Sequence, residues 1–319
     1  MKTEFEFIET IRRKYDLSKI GDDCAVLPKD SKTDTVITTD LLVEDVDFKL
    51  EWSKPELIGH KALAVSLSDI AAMGAKPVWA MLSIGVPEKI WRTDFAEKFY
   101  DGYMRLARKY NVEIVGGDIS RTPEKIVVDS IAAGEVRKGK AILRSSAKIG
   151  DLIFVTGSLG GAAMGLKLLE DGERHEKSNR KNTLLRQLAP DPKTEVGQLL
   201  GAKNLAASMI DLSDGLSSDL AHICRASAVG AKIYADKIPI AAQIPDAVFQ
   251  ISDLEFALDG GEDFELLFTV NPKKESRLEK ELKKFPLSFI GEITANTEVI
   301  ELISDDGAAI LQPKGFRHF

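Results

Sequence analysis

The chain has 319 residues, 44% of them hydrophobic, and 50 acids against 43 bases give a formal net charge of −7. That length exceeds what one core usually serves, so two domains are expected; the acidic balance and the lack of any Lys/Arg stripe exclude a nucleic-acid or anionic-membrane surface. No apolar run approaches a membrane span, the N-terminus "MKTEFEFIETIRRKYDL" is charged throughout, and the two cysteines, Cys24 and Cys224, form no framework pattern, which together predict a soluble, cytoplasmic protein without a signal peptide.

Residues 5–15 predict a short amphipathic helix, followed by strand-like "CAVLP" and "TVITTD". In "SKPE", Ser53 is the expected N-cap, with Pro55 in the first turn and Glu56 three residues on. The helix it opens runs through "LIGHKALAVSLSDIAAM" to Gly74 as the C′ residue. Next come "VWAMLSIGV" as a strand, a helix over 95–110, and strands "VEIVGGD" and "KIVVDSIAAGEV". The polar stretch "RKGKAILRSSAKIGD" marks the domain boundary, giving domains 1–140 and 141–319. Beyond it, "DLIFVTGSLGGAAMGLKLL" passes from strand through glycine turn to helix, and "ASMIDLSDGLSSDLAHICRA" repeats that plan. Strands "AKIYA", "FELLFTV" and "LSFIGEIT" and a helix over 273–284 complete an α+β chain of two domains. The charged segment 170–182 reads as a mobile loop.

Aspartates recur after small or hydroxyl residues: "TTD" at Asp40, "LSD" at Asp69, "GGD" at Asp118, "DLSDG" at Asp211 and Asp214, "GGED" at Glu262 and Asp263, and "GDD" at Asp22 and Asp23. Each is expected at the end of a strand or helix, where a turn cap or a solvated face explains it singly. Asp69 falls in the last turn of its helix, where the macrodipole disfavours an anion by ~0.3–1 kcal/mol. Glycines before Asp118 and Glu262 permit close backbone approach to a ligand. The four histidines show no ligand spacing, so the acids together suit a hard cation, Mg²⁺ rather than Zn²⁺, in a Mg²⁺–phosphate site. "GSLGGAAMG" lacks the G-K-[ST] of a P-loop and reads better as tight helix packing than as an anion site.

In order, "GDDCAV", "TTDLLVEDVDF", "KALAVSLSDIAAMGAKP", "VGGDISR", "LRSSAKIGD", "VTGSLGGAA", "DLSDGLSSDL", "GGEDFELLFT" and "GFRHF" resemble the motifs of the thiamine-monophosphate kinase family, within the aminoimidazole-ribonucleotide-synthetase-like ATP-binding superfamily. The resemblance implies an N-terminal mixed sheet that binds ATP and Mg²⁺ and pairs across a homodimer, and a C-terminal α/β domain that completes the site. It implies ATP-dependent phosphorylation of thiamine monophosphate to thiamine diphosphate, by direct Mg²⁺-assisted transfer of the γ-phosphoryl group. Carried over by motif, Asp23, Thr38, Thr39, Asp40, Asp69, Asp118, Asp211 and Asp214 would hold Mg²⁺. Tyr100, Gly117, Asp118, Arg144 and Ser213 would face ATP, and Asp47, Glu262 and Phe316 would meet the substrate. Asp40, Asp69, Asp118, Asp211 and Arg144 would carry the chemistry. The chain departs from the family pattern at Asp47, usually histidine, and at Ser66, usually asparagine.

Two other readings share part of this pattern. A selenophosphate synthetase would share the superfamily but needs a reactive residue near the N-terminus, where this chain has Cys24 on an apolar strand. A nucleotide-binding regulatory module would need only the ATP contacts, not both "DLSDG" and "GGEDFE".

Overall fold

The computed structural model describes residues 4–241 and 253–316. Its first half runs α1 (Glu4–Lys14), β1 (Ala25–Pro28), β2 (Thr33–Val43), α2 (Pro55–Ala72), β3 (Lys76–Pro87), α3 (Glu88–Trp91), α4 (Phe95–Tyr110), β4 (Glu113–Thr122) and β5 (Val127–Arg137). The strands form a mixed five-stranded sheet, β1-β2-β5-β3-β4, in which only β3 and β4 pair in parallel. Burial alternates along β2 because successive side chains point to opposite faces. Val36, Thr38, Asp40 and Leu42 turn toward the helices, and Ile37, Thr39 and Leu41 turn away.

The second half runs β6 (Leu152–Thr156), α5 (Gly161–Glu170), α6 (Lys181–Leu188), α7 (Thr194–Ala202), β7 (Ala206–Asp211), α8 (Leu216–Ser227), β8 (Gly230–Tyr234), α9 (Asp253–Asp259), β9 (Leu266–Val270), α10 (Glu275–Glu281), β10 (Leu287–Thr294), β11 (Ile300–Ser304) and β12 (Gly307–Ile310). Its sheet has seven strands, β12-β11-β8-β10-β6-β9-β7. The expected two-part α+β architecture with a mixed first sheet is thus present.

Helix α2 joins the halves. It is apolar nearly all round and buried along most of its length, which is the pattern of a helix covered on every side. One side lies on the five-stranded sheet and α4, while Ala71 and Ala72 belong to a core shared with Val196, Leu200, Met209 and Phe268 of the second half. Close approach requires glycine. A Cβ at Gly102 of α4 would lie 1.8 Å from the Glu56 carbonyl oxygen of α2, and one at Gly59 would lie 2.0 Å from that of Phe99.

Several local expectations need correction. Lys54, not Ser53, is the N-cap of α2 and no side chain caps it; Pro55 at N1 holds its predecessor extended, so the Lys54 carbonyl takes the first helical bonds from Leu57 and Ile58. Asp40 and Asp118 lie inside β2 and β4 rather than at strand ends. The charged segment 170–182 does hold the expected loop, with no helix or strand over 171–180, but α6 already begins at Lys181; within it Arg180 pairs with Glu173, and the Arg174 guanidinium donates to the Leu169 carbonyl at 3.0 Å. The last three residues of "GFRHF" lie outside the described residues.

Replacing Gly102 with alanine forces the α2–α4 crossing apart, with an expected loss of about 1–3 kcal/mol, read as a lower urea midpoint at unchanged m-value. An unchanged midpoint would contradict the close crossing.

Candidate active site

The C-terminal turn of α2 carries Ser68 and Asp69 into the seam between the halves. Thr38, on the inward face of β2, donates to Asp69 Oδ2. Ser68 Oγ donates to Asp211 Oδ2, at the end of β7, across 2.6 Å. Asp23, just before β1, completes a group in which one ligand atom each of Asp23, Asp69 and Asp211 lies within 4.8 Å of the others. Arg144 is the cation of this cluster: its guanidinium donates to Asp23 Oδ1 and its backbone N–H to Asp22 Oδ1 at 2.7 Å.

One guanidinium does not neutralise this much negative charge away from water. Burial, with the charges of Asp40, Asp211 and Asp23 added, holds the Asp69 carboxyl well above the usual range. Burial and Asp23 push Asp211 up to about 8. Burial raises Asp40 to about 6, with the nearby Ser66 hydroxyl opposing the rise and Asp129 and Asp23 adding to it. Arg144 is held protonated: burial works against its charge, and Asp23 outweighs that. Cys24, buried beside these acids, has its thiol pushed well up by burial and then by Asp69. Burial and the neighbouring negative charge disfavour the thiolate that a nucleophile would need, which weighs against the selenophosphate synthetase reading.

The donor set fits a hard divalent cation. The group offers carboxylate oxygens, with no sulfur or imidazole, as Mg²⁺ prefers. Asp23 Oδ2 and Asp40 Oδ2 are buried with no hydrogen-bond partner among the described residues, and such acceptors cost stability unless something positive meets them.

A cleft of about 1230 Å³, open mouth included, lies between the halves, with Asp40 in its wall. Asp47, Ser213, Asp214, Glu262 and Phe316 all line it. Ser213 offers its carbonyl to the Glu262 N–H (2.8 Å), and Asp214 offers its own to the Phe316 N–H (3.1 Å). Phe316 is therefore seated on the "DLSDG" loop, and the residue is 51% exposed. Asp47 Oδ2 accepts from Val43 N–H at 2.7 Å, so this carboxylate shapes its own turn. Its walls also carry apolar and aromatic side chains, among them Trp52, Leu166, Leu188 and Phe264.

Other expected residues are not gathered here. Across the sheet Asp118 is level with Ser83, Asp129 and Leu41, on the face turned away from Asp40, and with Gly117 it is exposed on edge strand β4. The Thr39 hydroxyl also points away and donates to Asp129 Oδ1 at 2.6 Å. Tyr100 meets the Phe99 ring edge-on and is not among the residues lining the cleft. The glycine turn is a packing device: Asp263 accepts from the Gly160 N–H at 2.5 Å and the Ala162 N–H at 3.1 Å, filling the place an anion would take. Asp219 and His222 went unnoticed in the sequence, although they stand three residues apart on α8 and approach Asp214. Lys61 also went unnoticed; its signal was a lone cation in an otherwise apolar helix.

The chain's first sheet and the elements around it match the family model "AIR synthase related protein, N-terminal domain" over residues 21–136, and the second half matches "AIR synthase related protein, C-terminal domain" over 148–303. Fold and site thus define an AIR-synthase-related two-domain protein with a buried carboxylate centre. Among relatives, the thiamine-monophosphate kinase of Bacillus subtilis (strain 168) is 39% identical over 94% of this chain and 93% of its own. That of Buchnera aphidicola subsp. Acyrthosiphon pisum is 40% identical over 99% of both. The solved structure of AaThiL complexed with AMPPCP and TMP superposes with a TM-score of 0.87 at 31% identity, covering 99% of this chain and 97% of that one. This chain belongs to the thiamine-monophosphate kinase family.

The raised carboxyl groups fix a pH dependence. Asp40 and Asp211 hold protons in the folded state to about 6 and about 8 but release them near 4 when unfolded. Their contribution to the stability of the metal-free fold is therefore largest at low pH and is lost as pH rises through that window. Tm of metal-free protein should fall between about pH 5.5 and about pH 8.5, and Mg²⁺ should restore it more at the higher pH, where the ligands are ionised. A pH-independent Mg²⁺ effect would contradict the cluster as the ion's site.

Proposed function

We propose that this chain is a thiamine-phosphate kinase that transfers the γ-phosphoryl group of ATP to the phosphate of thiamine monophosphate, giving ADP and thiamine diphosphate. The observation that carries the reading is the meeting, at Asp40, of a buried carboxylate cluster with a cleft that is aromatic and apolar beyond it. A substrate with a phosphate at one end and heterocycles at the other matches that polarity. The relatives' names and the AMPPCP and TMP carried by AaThiL support it.

The acceptor is a phosphate oxygen already ionised near neutral pH, so no general base is needed. That oxygen bonds to the γ-phosphorus as the bond to the bridging oxygen breaks and ADP leaves. The obstacle is repulsion between two polyanions. Mg²⁺, when bound, neutralises phosphate charge and aligns donor with acceptor; Asp23, Asp40, Asp69, Asp211 and Asp214 are the residues we place around it. Thr38 and Ser68 fix the Asp69 and Asp211 carboxylates through their hydroxyls, and Arg144 keeps a fixed positive charge beside Asp23. The cleft's apolar wall takes the heterocycles, with the Phe316 ring a face for the thiazolium cation, a contact worth ~0.5–2 kcal/mol.

The acting form is a cytoplasmic homodimer, a setting supported by two free, buried thiols and by the absence, among the described residues, of any helix long and apolar enough to cross a membrane. Ile37, Leu41, Met81 and Ile131 share the sheet face turned away from α2. Edge strand β4 leaves Val115 and Ile119 exposed. A second copy covering that face would also close over Gly117 and Asp118 on the edge strand.

ADP release from ATP and Mg²⁺ should depend on thiamine monophosphate. Asp69→Asn should cut kcat/KM at least ~100-fold, the scale of losing one charge-stabilising ligand, while Tm holds or rises because a repelled carboxyl is gone; acceptor-independent ADP release, or full activity in the variant, would refute the reading. Sedimentation at micromolar concentration should give a dimer, and Leu41→Glu should shift it toward monomer; a monomeric parent would overturn the homodimer.

A further inference from the structure

Glu262 lines the cleft, and both of its carboxylate oxygens are engaged. Lys61 Nζ lies 2.6 Å from Oε1, and Gln187 Nε2 donates to Oε2. Lys61 is a buried cation, its side chain only 4% exposed. Its ammonium also donates to the Asp47 carbonyl at 3.0 Å. One side chain on α2 therefore ties together the loop after β2, the "GGED" turn of the second half and the first half's central helix. Glu262 itself sits at φ +66, a left-handed conformation that non-glycine residues adopt at a cost and that persists where the surroundings demand it.

We propose that Lys61 is a positioning residue for substrate recognition, holding the Glu262 carboxylate so that it accepts a hydrogen bond from the exocyclic amine of the substrate's aminopyrimidine. This rests on the kinase reading above. A carboxylate can only accept, and it repels phosphate. Thiamine monophosphate offers it one neutral N–H donor group, the amine. Each Glu262 oxygen keeps a lone pair after Lys61 and Gln187 are served, and the two donors fix where those lone pairs point. Lys61 and Asp69 stand eight residues apart on α2, about 12 Å along the helix at 1.5 Å per residue, so one rigid rod sets both the amine-reading end and the phosphate end of the cleft.

Wild-type enzyme, Lys61→Met, Lys61→Arg and Gln187→Met are compared on thiamine monophosphate and on its analogue with a carbonyl oxygen in place of the amine. Wild type should favour the amine in kcat/KM by about 10- to 100-fold. Lys61→Met should reduce that preference to below about 3-fold, mainly through KM for thiamine monophosphate and with KM for ATP unchanged, and Lys61→Arg should restore part of it. A merely structural lysine would lower both substrates equally and leave the ratio intact, which would overturn the proposal. Should Lys61→Met not fold, Gln187→Met decides: a preference reduced 3- to 10-fold supports the clamp, and an unchanged one refutes it. A wild type inactive on both compounds would instead refute the kinase reading itself.

Discussion

Everything in this molecule is arranged around the burial of Asp69. An aspartate in the last turn of an apolar helix, packed between two domains, faces the negative end of the helix dipole and three further carboxylates. Such a group is accommodated there because neighbours share the load: Thr38 donates to it, Arg144 brings a guanidinium beside Asp23, and burial favours the protonated carboxyl. The fold spends stability at this point, and an ion at the same place would return it. The interdomain seam, the tight α2–α4 crossing and the largely apolar surface of α2 are what keep water from relaxing the arrangement.

The same helix explains the polarity of the cleft. Lys61 and Asp69 lie on one stripe of α2 two turns apart, the first balancing Glu262 and the second belonging to the acid centre. Charge is concentrated at one end and cancelled at the other. A ligand entering the cleft meets excess negative potential beside Asp40, and a neutral, hydrogen-bonded carboxylate–ammonium pair near the aromatic walls. With a divalent cation held among the acids, phosphate would be drawn to the Asp40 end and a heterocycle left to the aromatic walls without a dedicated anion loop; the glycine turn at α5 is filled by Asp263 rather than by a ligand.

Much of this was legible before any coordinates. The β-branched run of Val36 to Thr39 reads as a strand and is one; the helix over 95–110 has the bounds expected of its amphipathic pattern. Asp69 drew notice because a carboxylate opposes the dipole where it stands, and the same conflict marks it in three dimensions. The rest depended on which face a residue takes. Thr39 and Asp118 carry the right chemistry but point away from Asp40, a parity that only strand pairing reveals. Ser53 looked like a cap until Pro55 held Lys54 extended. Lys61 was hidden by its company: in "HKALAV" it resembles a solvated end of an apolar helix, and only the approach of Glu262, two hundred residues later in the chain, gives it a partner.

The central claim is that the buried carboxylates form a divalent-metal centre that handles phosphate. Crystals grown with Mn²⁺ and a non-hydrolysable ATP analogue test it most directly, through anomalous scattering from the ion. The account predicts a peak about 2.1 Å from carboxylate oxygens of Asp23, Asp69 and Asp211, with a phosphate oxygen completing the coordination. Peaks confined to surface acids, or a nucleotide bound with no ion touching those three residues, would contradict it.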